Sequence, residues 1–545
     1  MTKYNIMANI ELLQSPLPKL EEIQKKVFCK EATHFLWKLH THFDSKIEQL
    51  HKKRLKTTVE LQSELAFKQT LEWKDKSWKV GPLPLRLQNR HLDLGDVSAS
   101  NAAHFTAALN ADVQGVQVDF DDGHCPTWKN QLLAYNNIDL AVNGKLVGAP
   151  SNIATCPVLM LRPRAWNMID HDILINGKEA IGPLVDFGIL MYHNAKKLYE
   201  ANSGPYFYLS KLEGASEAAL WNEIFVWAQS ELGLPQGSIK ACVLIENILS
   251  TFEMEGILYV LKDHCVGLNC GIWDYCASII SKFGNHEQFL LPDRNKYVNM
   301  DKKFLKSYMT LVVKTCHSRG ALATGGMAAA MLKPGSNGLD EKSKEIVNNV
   351  LASKMKEINA GVDGFLVYDT RLVPFVNELW KKSSSTPNQI HRILDVEVTA
   401  RDLLTIPSGG VTLQGLKHNV AVTILFIYHW LAGIGHFFYT GNVEDSATAE
   451  ISRAQIWQWI RFAVTLEDDQ RQVTVRLVEK IATNFAVYAH KNLCRSNVER
   501  KRLNAAKYMS LEIFLSRNPP EFITSYLNDN HKFRTLHNKA LLSNL

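Results

Sequence analysis

The sequence predicts an α/β protein built on a TIM (β/α)8 barrel. Eight short apolar segments lie between positions 91 and 368, and helix-forming stretches separate them. In one of these stretches Met254, Ile257, Leu258 and Leu261 recur at the i, i+3, i+4 and i+7 spacing of a single helical face. Eight strand and helix pairs over about 280 residues agree with the size of such a barrel, for which about 250 residues is typical. A doubly wound open sheet is the competing architecture, because it also alternates strands with helices.

The eight predicted strands are short runs rich in Val, Ile, Leu, Phe and Tyr, which is typical of strands buried on both faces. In chain order they are residues 91–94, 116–121, 158–162, 206–211, 241–246, 266–270, 321–324 and 364–368.

The segments on either side of these strands have a different character. Residues 1–80 are rich in Lys, Glu, Gln and Leu, and Phe35, Leu36 and Leu39 fall at helical spacing, which predicts an N-terminal helical domain. The barrel is predicted over residues 81–380, with a small β hairpin inserted near 135–155, where glycines indicate turns. A Ser, Thr and Pro-rich linker then leads to a helical C-terminal domain over residues 388–545.

The composition is that of an ordinary globular protein, with 46% hydrophobic and 21% charged residues. The net charge of +6 is modest for 545 residues, so it predicts no nucleic-acid partner. Two basic stretches, at 51–54 and 499–502, do not alternate with aromatic residues as a base-stacking groove would. We interpret them as solvated helix faces, with phosphate binding as the alternative.

The nine cysteines form no Cys-x-x-Cys pair, which argues against a zinc site or a disulfide scaffold and favours a reducing compartment. The sequence carries no pattern that predicts an oligomeric state.

Residues 420–439 are long and apolar enough to consider a membrane span. They contain Thr423, His429 and His436 and are interrupted by Gly433 and Gly435. Since ionisable groups in lipid are costly, we expect a buried helix here and no membrane partner.

Two features bear on location in the cell. The first residues lack the apolar core of a secretory signal. Ser543-Asn544-Leu545 differs from the peroxisomal Ser-Lys-Leu signal in its middle residue. We expect a peroxisomal location, with a cytoplasmic one, and a tail without a targeting role, as the alternative.

Two acidic residues follow neighbouring predicted strands. Glu246 closes the run that begins at Ala241, and Asp274 comes shortly after the strand at 266–270. Because the carboxyl ends of barrel strands meet at the face where such enzymes place their chemistry, we expect both carboxylates at one rim. Carboxylate oxygens suit a hard divalent cation, so the pair predicts a Mg²⁺ site.

Further charged residues end the second and third predicted strands. Asp119 and Asp121 alternate with apolar residues and therefore share one face of their strand. They could help a cation site, or cap a helix or pair with surface lysines. Arg162 and Arg164 end the next strand, where an arginine can bind a carboxylate or stabilise a developing oxyanion, or simply form a structural ion pair.

Several longer motifs resemble the malate synthase family of the shorter A type, which serves the glyoxylate cycle. The resemblance spans roughly residues 80–480. It is carried by Val266-Gly-Leu-Asn-Cys-Gly-Ile-Trp-Asp-Tyr275, Gly325-Gly-Met-Ala-Ala329, Glu444-Asp-Ser-Ala-Thr-Ala-Glu-Ile-Ser-Arg453 and Gln455-Ile-Trp-Gln-Trp-Ile460, with support from Pro126-Thr-Trp128, Leu161-Arg-Pro-Arg164 and Pro205-Tyr-Phe-Tyr-Leu209.

The resemblance implies a magnesium-dependent Claisen condensation of acetyl-CoA with glyoxylate, followed by thioester hydrolysis to malate and CoA. It also implies a TIM barrel with an N-terminal helical clasp and a C-terminal helical plug. Glu246 and Asp274 would hold Mg²⁺, Arg162 would stabilise the enolate, and Asp445 would remove the acetyl methyl proton. Asp445 also has a simpler interpretation, as the N-cap of the following helix.

The same resemblance assigns the substrate contacts. The backbone of Gly271, Ile272, Trp273 and Asp274 would hold glyoxylate, and Asp119 and Asp121 would form a further set of acids around the metal.

The sequence departs from the family at several positions. Ala165 and Asn167 replace a glycine and a histidine in Arg162-Pro-Arg-Ala-Trp-Asn167, and Ile272 stands where an arginine is common. We interpret most of these departures as changes in the walls of the acyl-CoA channel and inner site, which bear on affinity, rate and substrate choice. The wall positions are Ala165, Asn167, Leu322, Tyr368, Asp369, Thr370 and His436.

An active, divergent malate synthase is our first interpretation. Two alternatives stay open: a related lyase or synthase that acts on another 3-hydroxyacyl-CoA, and a noncatalytic descendant that binds CoA. The joint presence of Arg162, Glu246, Asp274 and Asp445 favours an enzyme.

Overall fold

The protein is described here by a computed structural model. The described residues are 9–13, 18–61, 65–333, 335, 340–531 and 533. The C-terminal tripeptide Ser543-Asn544-Leu545 lies outside them. The strands, in chain order, are β1 (Ile10–Leu12), β2 (Leu92–Val97), β3 (Gly115–Asp119), β4 (Val158–Arg162), β5 (Ile169–Ile175), β6 (Lys178–Ile181), β7 (Tyr206–Leu209), β8 (Lys240–Ile245), β9 (Cys265–Cys270), β10 (Leu322–Ala328), β11 (Gly364–Val367), β12 (Phe437–Tyr439) and β13 (Asn442–Glu444).

A closed parallel barrel forms the centre of the molecule. Its strands follow the order β2, β3, β4, β7, β8, β9, β10 and β11, and β11 pairs with β2 to close it. The TIM barrel prediction is therefore confirmed, and the open sheet is excluded. All eight predicted strands are present, with ends that differ by a few residues.

The helices surround the barrel and build its two flanking segments. They are α1 (Glu21–Val27), α2 (Lys30–Glu60), α3 (Leu71–Lys74), α4 (Ala102–Leu109), α5 (Trp128–Val142), α6 (Gly182–Glu200), α7 (Ala215–Leu232), α8 (Ile248–Thr251), α9 (Met254–Val260), α10 (Ile272–Phe283), α11 (Arg294–Tyr297), α12 (Lys303–Arg319), α13 (Glu341–Ala360), α14 (Val373–Ser383), α15 (Ala400–Leu404), α16 (Leu413–Trp430), α17 (Ser446–Arg461), α18 (Val475–Asn492), α19 (Asn497–Leu515) and α20 (Ile523–Asp529).

The small hairpin lies elsewhere than predicted. Residues 135–155 were expected to hold it, but the structure has the end of α5 there, followed by turns and a short 3-10 helix at Ile153–Thr155. The glycines of this segment do form turns, yet no strand-forming runs flank them. The hairpin is instead β5 and β6, joined by Asn176-Gly177, both with positive φ, as a two-residue hairpin turn requires. Asn-Gly is a stronger indication of a hairpin than the glycines of residues 135–155.

The N-terminal segment is helical, as predicted, but it also contributes one strand. The long helix α2 packs against α6 and α7 on the outside of the barrel. β1 pairs antiparallel with β5, so the N-terminal segment and the hairpin form one three-stranded sheet. The predicted domain boundaries at residues 80 and 388 stay predictions.

The predicted apolar helix at 420–439 is correct only in its first part. α16 ends at Trp430, and after Gly433, at φ 78°, the chain turns into the β12 and β13 hairpin. α16 is largely buried against α17 and α19. Among the described helices, none has the length and hydropathy needed to cross a membrane.

A buried ion pair fills part of the barrel interior. Arg90 and Asp93 are each about 1% exposed and bind one another, and Arg90 Nη2 also donates to the Tyr208 hydroxyl at 2.9 Å. The guanidinium lies 5.4 Å from the Tyr208 ring centroid. Because Arg90 has no other charged partner among the described residues, the pair acts as a unit.

Breaking this pair should destabilise the fold strongly. Asp93→Asn would leave a buried guanidinium without its counter-ion, and we expect a loss of about 3–5 kcal/mol in the free energy of unfolding, measured by urea denaturation. Lys178→Met removes a cation that is 60% exposed and paired with Asp44 and Glu48 on the surface, so it should change stability little. Equal effects of the two variants would contradict this account of the barrel interior.

Candidate active site

The acidic side chains predicted at the barrel rim do lie together. Glu246 follows β8 directly, and Asp274 lies in the first turn of α10, just after β9. Both are buried. Gly271 permits their approach, since a Cβ atom there would lie 2.8 Å from Glu246 Cβ and 2.9 Å from its Oε2. The sequence at the end of β9 is therefore fitted to the carboxylate of Glu246.

A third acid completes a cluster with this pair. Ligand oxygens of Asp122, Glu246 and Asp274 all lie within 4.8 Å of one another, and all three side chains are buried. Asp122 follows β3, so three barrel strands supply the three carboxylates. Three hard oxygen donors at this spacing fit a divalent cation of the Mg²⁺ type.

Lys211 neutralises part of this cluster. Its Nζ donates to Asp121 Oδ2 and Asp122 Oδ1, each at 2.7 Å, and lies 3.5 Å from Asp274 Oδ2. Its backbone amide donates to Glu246 Oε1 at 2.7 Å. Lys211 has φ 55°, a left-handed conformation that is costly for a residue with a side chain. This strain serves both contacts at once, because the backbone and the side chain then face the same acids.

The electrostatics indicate a cluster that lacks positive charge. Burial raises the pKa of Glu246 to about 7, although Lys211 partly offsets the shift. Burial likewise raises the pKa of Asp274 well above its usual value. Burial acts on Asp122 in the same direction, but Lys211 and Arg162 together hold the pKa of Asp122 below its usual value. A cation near Glu246 and Asp274 would relieve this imbalance.

Arg162 ends β4 and is held by three aspartates. Nε and Nη2 donate to the two oxygens of Asp119 at 2.8 and 2.6 Å, Nη1 donates to Asp122 at 2.8 Å, and Nη2 donates to Asp96 at 3.1 Å. A guanidinium has five N–H groups. These contacts use four of them and leave one on Nη1 for a ligand.

The site as a whole is strongly acidic. Among the described residues, seven buried carboxyl groups lie here and two cationic side chains, Arg162 and Lys211, form ion pairs with them, which leaves a formal charge of −5 for this group if every acid is ionised. Buried charge of one sign is costly unless cations or protons compensate it. The acids are Asp96, Asp119, Asp121, Asp122, Glu246, Asp274 and Asp445.

Asp445 reaches this site from the C-terminal segment. It follows the β12 and β13 hairpin and caps α17, where its Oδ1 accepts from the Thr448 amide at 3.0 Å. The next residue, Ser446, donates from Oγ to Asp122 Oδ1 at 2.5 Å and so fixes the start of α17 against the acidic cluster. Burial, and then the charge of Asp122, raise the pKa of Asp445. The N-cap interpretation is correct, and the same residue also lies in the site.

The other predicted site residues are placed as follows. Residues 272–274 form the first turn of α10, with Gly271 as N-cap. The first amides of a helix have no intrahelical partner, so they can bind an anion. Asp119 binds Arg162, and Asp121 accepts from Lys211 and from the Ala165 amide. Both aspartates therefore lie beside the three-acid cluster and are not part of it.

A large cavity of about 1960 Å³ opens next to the site. It runs from Ile272 and Trp273 past Met327 and Ala328 to Glu444 and Thr448, close to Asp445. The Arg294 guanidinium stacks over the Trp273 ring at 4.9 Å from its centroid. Further cations at the cavity wall are Lys296, Lys306, Lys354 and Lys356.

None of the seven predicted wall positions is among the described residues that line this cavity. Leu322 begins β10, at the end of the barrel opposite the acids, so its expected place in the site is wrong. Asn167 binds Ser525 outside the site. Asp369 binds Arg371 and, with Thr370, starts a turn. Tyr368 and His436 bind each other at 2.8 Å.

Four residues of the site were missed from the sequence: Asp96, Asp122, Lys211 and Ser446. Lys211 could have been found, because it closes a predicted strand just as Glu246 does. Asp122 lies in the acidic run that begins at Asp119. Asp96 and Ser446 carry no comparable pattern, since their role depends on contacts between distant segments.

The acidic cluster predicts a pH-dependent affinity for Mg²⁺. With the pKa of Glu246 near 7, a proton must leave before a cation binds, so affinity should rise as pH increases from 6 to 8. Below pH 7, each unit of increase in pH should lower the Mg²⁺ dissociation constant by up to about tenfold. Calorimetry would measure this constant. Glu246→Gln should weaken binding and flatten the pH dependence. An equally steep dependence in that variant would assign the proton to another group.

Comparisons with known proteins agree with this fold and site. Residues 158–406 match the family described as malate synthase, TIM barrel domain, and residues 410–530 match malate synthase, C-terminal. The chain is 39% identical over 464 residues to malate synthase of Myxococcus xanthus, covering 83% of this chain and 84% of the relative. It is 35% identical to malate synthase of Dictyostelium discoideum, covering 93% of this chain and 95% of the relative. For malate synthase A of Escherichia coli the identity is 34%, with 92% and 95% covered. The chain therefore belongs to the malate synthase family and is an enzyme of the acyltransferase type.

Proposed function

We propose that this protein condenses acetyl-CoA with glyoxylate and hydrolyses the resulting thioester, so that acetyl-CoA, glyoxylate and water give malate and free CoA. The observation that carries the proposal is the meeting of three elements at one rim: the acidic cluster of Asp122, Glu246 and Asp274, the Arg162 guanidinium, and the Asp445 carboxylate. Each element answers one requirement of the reaction.

The first requirement is an electrophilic aldehyde. Mg²⁺, held by Glu246 and Asp274 with Asp122 beside them, would act as a Lewis acid that polarises the glyoxylate carbonyl when bound. The first amides of α10 at Ile272 and Trp273 point from a helix N-terminus, which favours the glyoxylate carboxylate. Side-chain identity matters little to these amide contacts, so Ile272 in place of the common arginine does not remove them.

The second requirement is a carbon nucleophile. A thioester methyl group is a weak acid, so its deprotonation by a carboxylate needs a cation near the enolate oxygen. Asp445 supplies the carboxylate, and the remaining N–H of Arg162 Nη1 supplies the hydrogen bond. The raised pKa of Asp445 makes its carboxylate a stronger base than that of an ordinary aspartate.

The third requirement is room for the acyl donor. The cavity of about 1960 Å³ ends near Asp445 and carries apolar walls at Met327 and Ala328. These walls suit a pantetheine arm, and the lysines at the cavity wall suit phosphate groups. We therefore propose that acetyl-CoA occupies this cavity.

The test is a thiol-release assay. Purified protein supplied with Mg²⁺, acetyl-CoA and glyoxylate should release free CoA, and omission of glyoxylate or addition of a chelator should stop the release. Malate should form in equal amount, detected by mass spectrometry. CoA binding without thiol release would favour a noncatalytic role, and release with another 2-oxo acid in place of glyoxylate would favour a different substrate.

A further inference from the structure

Asp96 occupies a bulge at the end of β2. The pairing of β2 with β3 shifts register between Leu94 and Val97, and Asp96 lies in that interval with φ 54°. A bulge with a left-handed residue redirects a side chain and costs backbone strain unless the residue is glycine. The bulge places the Asp96 carboxyl group in the barrel mouth. The backbone amide of Asp96 donates to Gln117 Oε1 at 3.3 Å.

The two oxygens of Asp96 have different surroundings. Oδ1 accepts from Arg162 Nη2 at 3.1 Å. Oδ2 is buried and has no donor among the described residues. The Asp96 side chain, which is 3% exposed, lies within hydrogen-bonding reach of Asp445. Asp445 uses Oδ1 to cap α17, so its Oδ2 is the oxygen available to a neighbour.

Two ionised carboxylates cannot rest side by side in a buried site at low cost. Asp96 also faces Asp119, Asp122, Arg162 and the Tyr368 hydroxyl, while Asp445 also faces Asp122, Arg162, Asp274, Arg294 and Glu444. Burial, and then Asp445, raise the pKa of Asp96 well above its usual value. One proton placed between the two side chains satisfies Asp96 Oδ2 and removes one negative charge.

We propose that Asp96 is a positioning residue whose protonated Oδ2 donates a hydrogen bond to Asp445, so that the two carboxyl groups share one proton in the working enzyme. This inference rests on the proposed function of Asp445 as the base. The hydrogen bond orients the Asp445 carboxylate and keeps it ionised, and Arg162 holds the other oxygen of Asp96 in place.

The shared proton has a defined effect on the pH dependence of kcat/KM. When both carboxyl groups are protonated, Asp445 cannot accept the methyl proton, which sets the acid limb. When both are ionised, the hydrogen bond is lost and a second negative charge opposes enolate formation, which sets a basic limb. The pair therefore predicts a bell-shaped profile with two macroscopic pKa values that belong to the pair.

Asp96→Asn and Asp96→Gly form a matched pair of variants. Asparagine and glycine both accept a left-handed backbone, so both variants should fold. The amide of the introduced asparagine can donate to Asp445 and accept from Arg162, so this variant should lose the basic limb and have a higher kcat/KM at pH 7 than Asp96→Gly. Glycine offers no donor, so Asp96→Gly should lose about tenfold or more at pH 7, and its acid limb should move up by about one pH unit.

These profiles would be measured at saturating Mg²⁺. Equal losses in the two variants, or wild-type profiles in both, would overturn the proposal.

Thermal unfolding tests the shared proton without depending on enzyme activity. A carboxyl group with a raised pKa in the folded state lowers stability as pH rises from its unfolded value through its folded value. Wild-type Tm should therefore fall relative to that of Asp96→Asn as pH rises above the ordinary aspartate pKa of about 4. A difference in Tm that stays constant with pH would overturn the shared proton. If the wild type releases no thiol while this shift is observed, the proposed function fails and the carboxyl pair stands.

Discussion

Asp445→Asn should reduce kcat by about 10²- to 10⁴-fold, the usual contribution of a positioned general base. Asparagine keeps the oxygen that accepts from the Thr448 amide, and it is as good an N-cap as aspartate. The start of α17 and its contact with Asp122 through Ser446 should therefore be kept. Steady-state kinetics would measure the loss, and calorimetry should show Mg²⁺ and glyoxylate binding close to wild type.

Asp445→Ala is the control that separates the two roles of this residue. It removes both the base and the cap, so it should match the kinetic loss of Asp445→Asn and lose about 1 kcal/mol of stability in addition. Exchange of the acetyl-CoA methyl protons with deuterated solvent should be absent in both variants. If Asp445→Asn lost turnover and ligand binding together, Asp445 would be a structural residue.

Glu246→Gln and Asp274→Asn should each weaken Mg²⁺ binding by at least about a hundredfold. Loss of a residue that merely supports a metal ligand already costs about 10- to 100-fold in metal affinity or activity, and a ligand should cost at least as much. Each change also removes negative charge from a site that has too much of it, so the fold should be kept or stabilised. Calorimetry with Mg²⁺ and denaturation in a chelator would measure the two effects.

Asp121→Asn is the matched control for the metal site. Asp121 binds the same Lys211 side chain as Asp122, but it is outside the three-acid cluster. Its loss should change Mg²⁺ affinity far less than the loss of Glu246 or Asp274. Similar affinity in all three variants would show that the cation does not bind between Asp122, Glu246 and Asp274.

The fold was predictable because the barrel strands are buried on both faces. A short run such as residues 158–162 is apolar up to its closing arginine, and its limits in the structure are the predicted ones. The hairpin was misplaced because glycine turns at Gly144 and Gly148 look alike whether helix or strand flanks them. The run at 420–439 was interpreted as one helix, although its glycines redirect the chain into β12.

The site was predictable where a residue sits at the end of a strand. Glu246, Asp274 and Arg162 follow from strand order, since parallel strands bring their carboxyl ends to one rim. Asp445 came from the family resemblance, because its local sequence predicts a helix cap. Asp96 depends on a bulge, and Ser446 on a contact across more than 300 positions, so neither had a local signal.

The most direct test of this account is a crystal structure of the protein soaked with Mn²⁺ and glyoxylate, with data collected at the manganese absorption edge. We expect one strong anomalous peak within ligand distance of Glu246 and Asp274, with glyoxylate between that peak and Asp445. A peak at another acidic group, or glyoxylate bound away from Asp445, would contradict it.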